Sequence, residues 1–448
     1  MAMARRVGWT APAGTGFATP LVARITLPWL VRAGLCASFL AAFLQYEVSI
    51  PITQLLPLAT LGVCGLLVLC GRQRTERVQH ILSGGGLWFV AVLFGEVVSY
   101  TSGDTYSVLY GLVFIGVFLS LRLIVQEIGV PEVMRAYSQA GVLTVSVILI
   151  TGRQTLLAGE GSRFTGGTRA HPNLLGFVLA GFFPVIVWRA MEERVRWRKR
   201  VLIGLSMATF GLIFITGSRG SLLAVLVAIG AMLARGVGAG WLRKFRFGHL
   251  HFMAVIILIP LTVAFLSQHN RIGHIASFLN DFLSLTSNQR GVKSGLSGRT
   301  GIWDIAFRIL GAHNRWLFGF GYRAGDRLVG TIDDGYIQLL FESGLLAGSM
   351  ILGSMLRVFF LVGKASRLRE NNAWTRYYMM LWCMMIVYFL NNISSRYLFS
   401  FGSPFSLCVL CLMASSRREL TGGGMRAMVT QKVKPSSRAA VAWNRFGR

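Results

Sequence analysis

The residues able to do chemistry in this sequence are mostly arginines, set in the gaps between apolar runs. TGSRGSLLA (216–224) places Arg219 among two glycines and two serines, with long apolar runs on both sides. GRQTLLAGEGSRFTGGTRAHPN (152–173) carries Arg153, Arg163 and Arg169 ahead of His171-Pro172-Asn173. LSGRTGIWDIAFRIL (296–310) carries Arg299, WLFGFGYRAGDR (316–327) carries Arg323, and NNISSRYLFS (391–400) carries Arg396. A guanidinium is planar, always charged and able to donate two parallel hydrogen bonds. Arginines drawn from several segments therefore suit a phosphate or pyrophosphate. Acidic groups accompany them in TIDDGYIQLLFESGLLAG (331–348): Asp333, Asp334 and, further along, Glu342. A carboxylate within reach of a hydroxyl can take its proton, and His171 is a further candidate for that work. From Asp334, steps of four reach Gln338 and Glu342, so carboxylate, amide and carboxylate share one face of an apolar helix.

Each of these residues also has a plain structural use. Arg219 can snorkel to water, His171 or either aspartate can cap a helix, and Glu342 can be the buried partner of an arginine. The functional reading draws its weight from their number and from their common location. No nucleotide-binding loop and no cluster with metal-ligand spacing accompanies them, so no cofactor is expected.

What positions these groups is a membrane bundle. The chain of 448 residues is 54% hydrophobic and only 14% charged, against about a quarter charged in soluble domains. Mean hydropathy is +0.58. The sequence predicts an all-α polytopic membrane protein with about twelve transmembrane helices, near 26–45, 50–70, 83–100, 106–125, 137–151, 173–188, 201–216, 220–234, 252–267, 335–363, 377–393 and 397–415. The 45 Lys and Arg against 17 Asp and Glu leave +28. No soluble basic domain exists to carry nucleic acid, so nucleic acid is not expected as a partner and the excess reads as a topology signal. The six cysteines all lie in or beside apolar runs, with neither a disulfide framework nor zinc spacing. No convincing cleavage site follows Arg5-Arg6, so the first apolar run is expected to be retained.

Orientation follows from the basic residues. With the N-terminus inside, segments 1–25, 71–82, 126–136, 189–200, 235–250, 364–376 and 416–448 hold 29 Lys and Arg, whereas the short outer loops hold five. That asymmetry puts both termini in the cytoplasm. MEERVRWRKR (191–200) is the strongest inner anchor. The domain plan is then a cytoplasmic segment 1–25, nine helices over 26–267, a long outer loop 268–334, three helices over 335–415, and a basic tail 416–448 that reads as disordered and able to touch anionic lipid. The long loop carries eight basic residues, which its length allows.

On this topology every candidate arginine faces outward. Arg219 sits at the tip of a tight hairpin, beside the amides that open the next helix, a natural anion site. Pro172 suits a first helical turn, capped by Thr168 or His171. Ser297 is a plausible N-cap for an amphipathic helix whose Ile302, Trp303, Ala306, Ile309 and Leu310 share one face. Arg299 lies in its first turn, where the helix dipole disfavours a cation, so an anionic partner is expected there. Asp333 or Asp334 caps the helix that follows.

The ordered set G…AHPNLLGFVLA (166–180), ITGSRGSLLA (215–224), SGRTGIWDIA (297–306), LFGFGY (317–322) and DDGYIQLLFESGLLAG (333–348) resembles the bacterial O-antigen ligase and O-antigen/exopolysaccharide polymerase superfamily. The resemblance covers roughly 140–415. It implies a GT-C type glycosyltransferase of the bacterial inner membrane, independent of metal and nucleotide, with one long periplasmic loop between helices 9 and 10. The implied donor is glycan on undecaprenyl pyrophosphate, presented at the periplasmic face and attacked in line, with inversion, by a hydroxyl of an acceptor glycan. Membrane lipid, and a chain-length regulator and flippase of the same pathway, are the other partners it implies. On this resemblance Arg219, Arg299 and Arg169 hold the pyrophosphate, with Arg163, Arg323 and Arg396 behind them. Asp333 activates the acceptor, with Asp334 and His171 as alternatives, and Glu342 orients Arg219 or Arg299. Ligases of the family carry a His-Asn pair where Asp333-Asp334 stand, and Arg315-Trp316 replace the usual proline before the G-x-G turn. A polymerase of lipid-linked repeat units is thus expected before a ligase acting on lipid A-core or protein. A secondary transporter or lipid-linked glycan flippase is the alternative from another class.

The charge pattern makes a direct prediction. Alkaline phosphatase inserted within 268–298 will be active, and fused after Arg448 it will be inactive. The reverse pattern would invert the topology.

Overall fold

The computed structural model describes residues 21–45, 51–70, 86–152, 171–238, 299–367 and 373–420. The expected helix at 252–267, Ser297, Arg163, Arg169, the loop from 268 to 298 and the basic tail beyond Leu420 lie outside the described residues; the tail's first residues, expected to be disordered, form a short helix, 417–420. Every regular element among the described residues is a helix: α1 Leu21–Leu44, α2 Pro51–Cys70, α3 Gly86–Thr101, α4 Thr105–Ile128, α5 Val130–Thr151, α6 Pro172–Glu192, α7 Arg196–Ile215, α8 Arg219–Gly238, α9 Arg299–Ala312, α10 Ala324–Leu328, α11 Gly335–Ala365, α12 Ala373–Asn391, α13 Pro404–Met413 and α14 Arg417–Leu420. Helices thus occupy eleven of the twelve expected ranges. Five of them, α1, α4, α5, α6 and α11, are long and apolar enough to cross a membrane; α2, α3 and α13 are apolar but shorter. The architecture is that of an all-α, membrane-embedded protein.

Local sequence explains the boundaries. Asp104 caps α4, its Oδ2 accepting from Ser107 N at 2.7 Å. Gly129 at φ 76 separates α4 from α5, with Pro131 in the first turn of the latter. The amphipathic helix α9 starts at Arg299 and buries Ala306 and Leu310 against Phe341 and Ile332, with Ile302, Trp303 and Ile309 packed around them. The basic stretch before 201 is helical, not a loop: α7 begins at Arg196, because exposed Arg and Lys are good helix formers.

The core is organised around α6 and α13. Helix α6 is buried on nearly every side, with an apolar residue at almost all positions. Helix α13 is buried at every residue and touches α1, α4, α5, α6, α11 and α12. One end of the bundle is tied by arginines. Arg122 reaches Ala414 O at 3.1 Å and Glu419 at 2.6 Å, and Arg357 reaches Ser415 O at 2.8 Å. Both satisfy carbonyls at the C-terminus of α13, where a cation also complements the helix dipole. Arg376–Glu192 at 2.9 Å and Arg32–Glu132 at 3.1 Å join further helices at that end.

Two expected helices are corrected. The first, 397–415, is helical only from Pro404 to Met413; residues 392–403 run as irregular chain. Ser403 caps α13 and Pro404 opens it, so the helix cannot extend backwards. The freed carbonyls find side-chain donors. Tyr388 Oη donates to Tyr397 O and Leu398 O at 2.8 and 2.6 Å, and Ser406 Oγ to Tyr397 O at 2.6 Å. Phe399 stacks on Phe114 at 4.6 Å, and Phe401 on Tyr110 at 4.8 Å.

The second, 335–363, is broken at Gly344, which takes φ 66 and ψ −177. The break lies about 14 Å along the axis from the start of α11. Loop 316–321, expected to lie wholly in the outer loop, docks into it. Phe320 N and Gly321 N donate to Phe341 O and Glu342 O at 3.0 and 2.9 Å. Leu345 N and Leu346 N donate to Trp316 O and Leu317 O at 2.8 and 3.1 Å. Gly319 and Gly344 let the two backbones touch, for a Cβ on either would strike the opposite main chain.

Gly344→Ala will therefore destabilise the protein by at least ~1–3 kcal/mol, since that backbone region is essentially reserved for glycine. Gly348→Ala, whose Cβ would meet Leu339 at an ordinary 3.7 Å, will be near neutral. Thermal denaturation of the purified full chain in detergent separates the two.

Candidate anion and hydroxyl site

Several candidate segments meet on one turn, 391–396. Asn392 O accepts from Gly335 N at 2.9 Å, which fixes the start of α11. A Cβ on Gly335 would lie 2.6 Å from Leu398 Cβ and 3.0 Å from Ser395 O, so only glycine lets the two segments approach this closely. Ser221, in the first turn of α8, is hydrogen-bonded to the Asn391 side chain. Gly220 lies against Ser394, and Gly176 of α6 against Ser218 and Ser221. The N-terminal turns of α6, α8 and α11 therefore gather at one end, opposite the Arg122 and Arg376 ties. Their dipoles all present positive ends there.

Arg219, Asp333, Asp334 and Arg396 sit on segments docked at this turn, and the electrostatic influence of Arg299 reaches Asp334. His171 is the N-cap of α6, its Nδ1 accepting from Asn173 N at 3.2 Å. It shares the same end of the bundle, and its ring is exposed.

The two aspartates divide their roles. Asp334 is buried and caps α11, Oδ1 accepting from Tyr336 N and Ile337 N at 2.9 Å each. Burial pushes its carboxyl above the usual carboxylate range, against the opposing pull of those two amides and of Arg299. Asp333 is half-buried and has no hydrogen-bond or ion-pair partner among the described residues.

Arg323 and Arg396 meet through a residue the sequence reading passed over. Asp326 takes Arg323 Nη1 at 3.1 Å and Arg396 Nη1 at 3.2 Å. Arg323 holds a left-handed backbone, φ 61, and its guanidinium lies over the Tyr110 ring at 5.4 Å. Next to it, Arg327 pairs with Asp104 at 2.6 Å and donates to Ser107 Oγ at 3.1 Å. Ser107 Oγ in turn donates to Tyr322 O at 2.6 Å. Burial raises the Asp104 carboxyl, but its bonds from Ser107 and the charge of Arg327 outweigh this and leave it lowered. The three-residue spacing from Arg323 to Asp326 is visible in sequence; the link to Arg396 is not.

Glu342 does not orient Arg219 or Arg299 as expected. It is 8% exposed and accepts from Gln338 Nε2 at 2.9 Å, the neighbour that helical spacing had placed there. The arginine whose charge bears on it is Arg323, brought by the loop that fills the helix break.

The arrangement offers guanidinium groups, three helix N-termini and one aspartate without a partner among the described residues, a set chemically able to meet an anion and a hydroxyl. Among the described residues no group of three His, Cys, Asp or Glu is assembled to hold a metal. No protein-family model and no curated protein matches the chain.

Asp334→Ala will lower stability by about 0.5–2 kcal/mol through loss of its cap, whereas Asp333→Asn will leave the melting temperature unchanged. Melting curves of the two purified variants check this; equal losses would remove the division of roles.

Proposed function

We propose that the chain is a polymerase of undecaprenyl-pyrophosphate-linked oligosaccharide repeat units, for exopolysaccharide or O-antigen, in the bacterial inner membrane. The observation that carries it is the gathering of Arg219, Arg323, Arg396 and Asp333 at the end of the bundle where three helix N-termini meet. On the topology expected from the sequence, twelve spans with both termini in the cytoplasm, that end faces the periplasm, where lipid-linked glycan is exposed. The resemblance of the ordered motifs to the ligase and polymerase superfamily supplies the reaction class.

The chemistry needs few parts. An acceptor hydroxyl loses its proton to Asp333 as its oxygen bonds to the anomeric carbon of the donor. The bond from that carbon to the pyrophosphate oxygen breaks, with inversion, and the lipid pyrophosphate departs with the electron pair. Charge grows on the leaving group, and arginines and helix amides placed beforehand stabilise it more in the transition state than in the ground state. Arg219, on a segment docked at the same turn as the start of α11, and Arg299, whose charge reaches Asp334, are assigned to the pyrophosphate. Arg323 and Arg396 form a second pair.

The broken helix favours one rival, a transporter, since such folds bind substrate at interrupted helices. Here the amides and carbonyls freed at Gly344 are consumed by loop 316–321. They are not left to coordinate a substrate, and the transfer reading is preferred.

Purified protein given lipid-linked repeat units, without metal or nucleotide, is expected to yield a ladder of longer lipid-linked glycans, and Arg219→Ala to abolish it while the protein stays in the membrane. Transfer only to supplied lipid A-core or protein would make it a ligase. Full-length polymer from Arg219→Ala would sink the clamp.

A further inference from the structure

Two arginines that share one carboxylate are an unusual economy in a site meant for anions. Arg323 and Arg396 come from segments some seventy residues apart and carry like charge, so nothing in the pair itself holds them together. Asp326 does, with one oxygen on each: Oδ2 to Arg323 at 3.1 Å and Oδ1 to Arg396 at 3.2 Å. About a third of each of the three side chains is exposed, so the triad is reachable by a ligand. A guanidinium has five N–H donors, and Asp326 engages one nitrogen of each arginine, so both forks keep donors to spare. Arg323 Nε is buried without a hydrogen-bond partner.

The backbone makes the carboxylate's position definite. Left-handed Arg323 starts the short helix α10, which places Asp326 one turn on. Gly325 fits so closely beneath Ile332 that a Cβ there would lie 3.2 Å from Ile332 Cδ1. At the next residue Arg327 ties the segment to Asp104 of the α3–α4 junction. The carboxylate is thus anchored on both sides, while the arginines converge on it from a loop and from the 391–396 turn.

We propose that Asp326 is a positioning residue that sets Arg323 and Arg396 as a two-guanidinium cradle for the diphosphate of the donor. The proposal rests on the polymerase reading for its ligand. Asp326 touches no substrate; it acts through the two arginines. The triad carries a net single positive charge, and a diphosphate entering opposite Asp326 meets two forks already aligned, with their mutual repulsion offset.

The test exploits a difference in sign. If Asp326 were only a local negative charge, Asp326→Asn would tighten anion binding. Positioning predicts the opposite. Inorganic pyrophosphate is titrated calorimetrically into the full-length protein in detergent. Asp326→Asn should weaken its affinity by roughly tenfold or more, the worth of one charge-assisted hydrogen bond, and kcat/KM for lipid-linked repeat units should fall in step. Combined with Arg396→Gln it should add little to the loss of that single change, because the residues act as a unit. A merely structural role would reduce the yield of folded protein and leave affinity per molecule unchanged. Asp326→Glu keeps the charge and moves it by one methylene, so it serves should the Asn variant not fold. It is expected to lose about threefold through displaced forks. Wild-type affinity in both variants, or tighter binding in the Asn variant, overturns the proposal while leaving the polymerase reading intact. A wild-type protein that neither binds pyrophosphate nor extends glycan overturns both.

Discussion

A backbone amide or carbonyl freed from a helix inside an apolar bundle must find a partner in protein, since lipid offers none. The site of this protein depends on how two such debts are met. In α11 the helix breaks at Gly344, and loop 316–321 supplies two donors and two acceptors in exchange. Between α12 and α13 the chain runs irregularly for about three turns' worth of residues, and Tyr388, Ser406 and Asn392 take part in its hydrogen bonding. These two interruptions carry the candidate side chains. The first brings Tyr322, Arg323 and Asp326 down beside Glu342; the second makes the turn on which the starts of α8 and α11 dock and from which Arg396 projects. A bundle of unbroken helices would have left the same arginines in separate loops.

Charge is distributed by the same logic. At the far end of the bundle, Arg122, Arg357 and Arg376 are spent on helix C-termini and on Glu419 and Glu192. There the carbonyl dipoles and the cations agree, and the arrangement is closed. At the site end, arginines sit among helix N-termini, where dipole and cation disagree. Asp326, Asp104 and Asp334 relieve part of that conflict, each by bonding to an arginine or to helix amides. What remains is a region that gains from an added anion. This asymmetry leaves one end closed and the other with room for an anion, although both are rich in arginine.

Much of this was legible in the sequence, and the failures are instructive. Apolar runs located the helices because burial and lipid exposure act on composition, and Pro172 and His171 marked the start of α6 because a cap is a local matter. Helical spacing correctly placed Gln338 beside Glu342. It could not supply Arg323, whose approach depends on a loop threading a broken helix. The break itself was hidden because glycine is common in membrane helices; only the docked partner makes Gly344 differ from Gly348. Asp326 drew no notice in the sequence because its link to Arg396 is tertiary. The choice between Asp333 and Asp334 stayed open in sequence because either can cap, and the register of α11, set by Gly335 N on Asn392 O, decides it.

Precision at the site comes from close backbone approach more than from side-chain packing. Gly319 and Gly344 meet main chain to main chain, Gly335 meets the Ser395 carbonyl, and Gly220 and Gly176 lie against the Ser394 and Ser218 side chains. The main-chain contacts tolerate almost no sliding, since a main-chain collision rises steeply where a side chain would turn aside. Together the glycine contacts join the segments bearing Arg219, Arg396, Asp333 and Arg323, and each contact lies one to four residues from the candidate side chain. A long arginine can then be left partly exposed and still be aimed, because its Cα is fixed and its head is held by a carboxylate. That combination, a rigid backbone root with a mobile but tethered fork, suits a ligand whose charge moves during reaction better than a fully buried cation would.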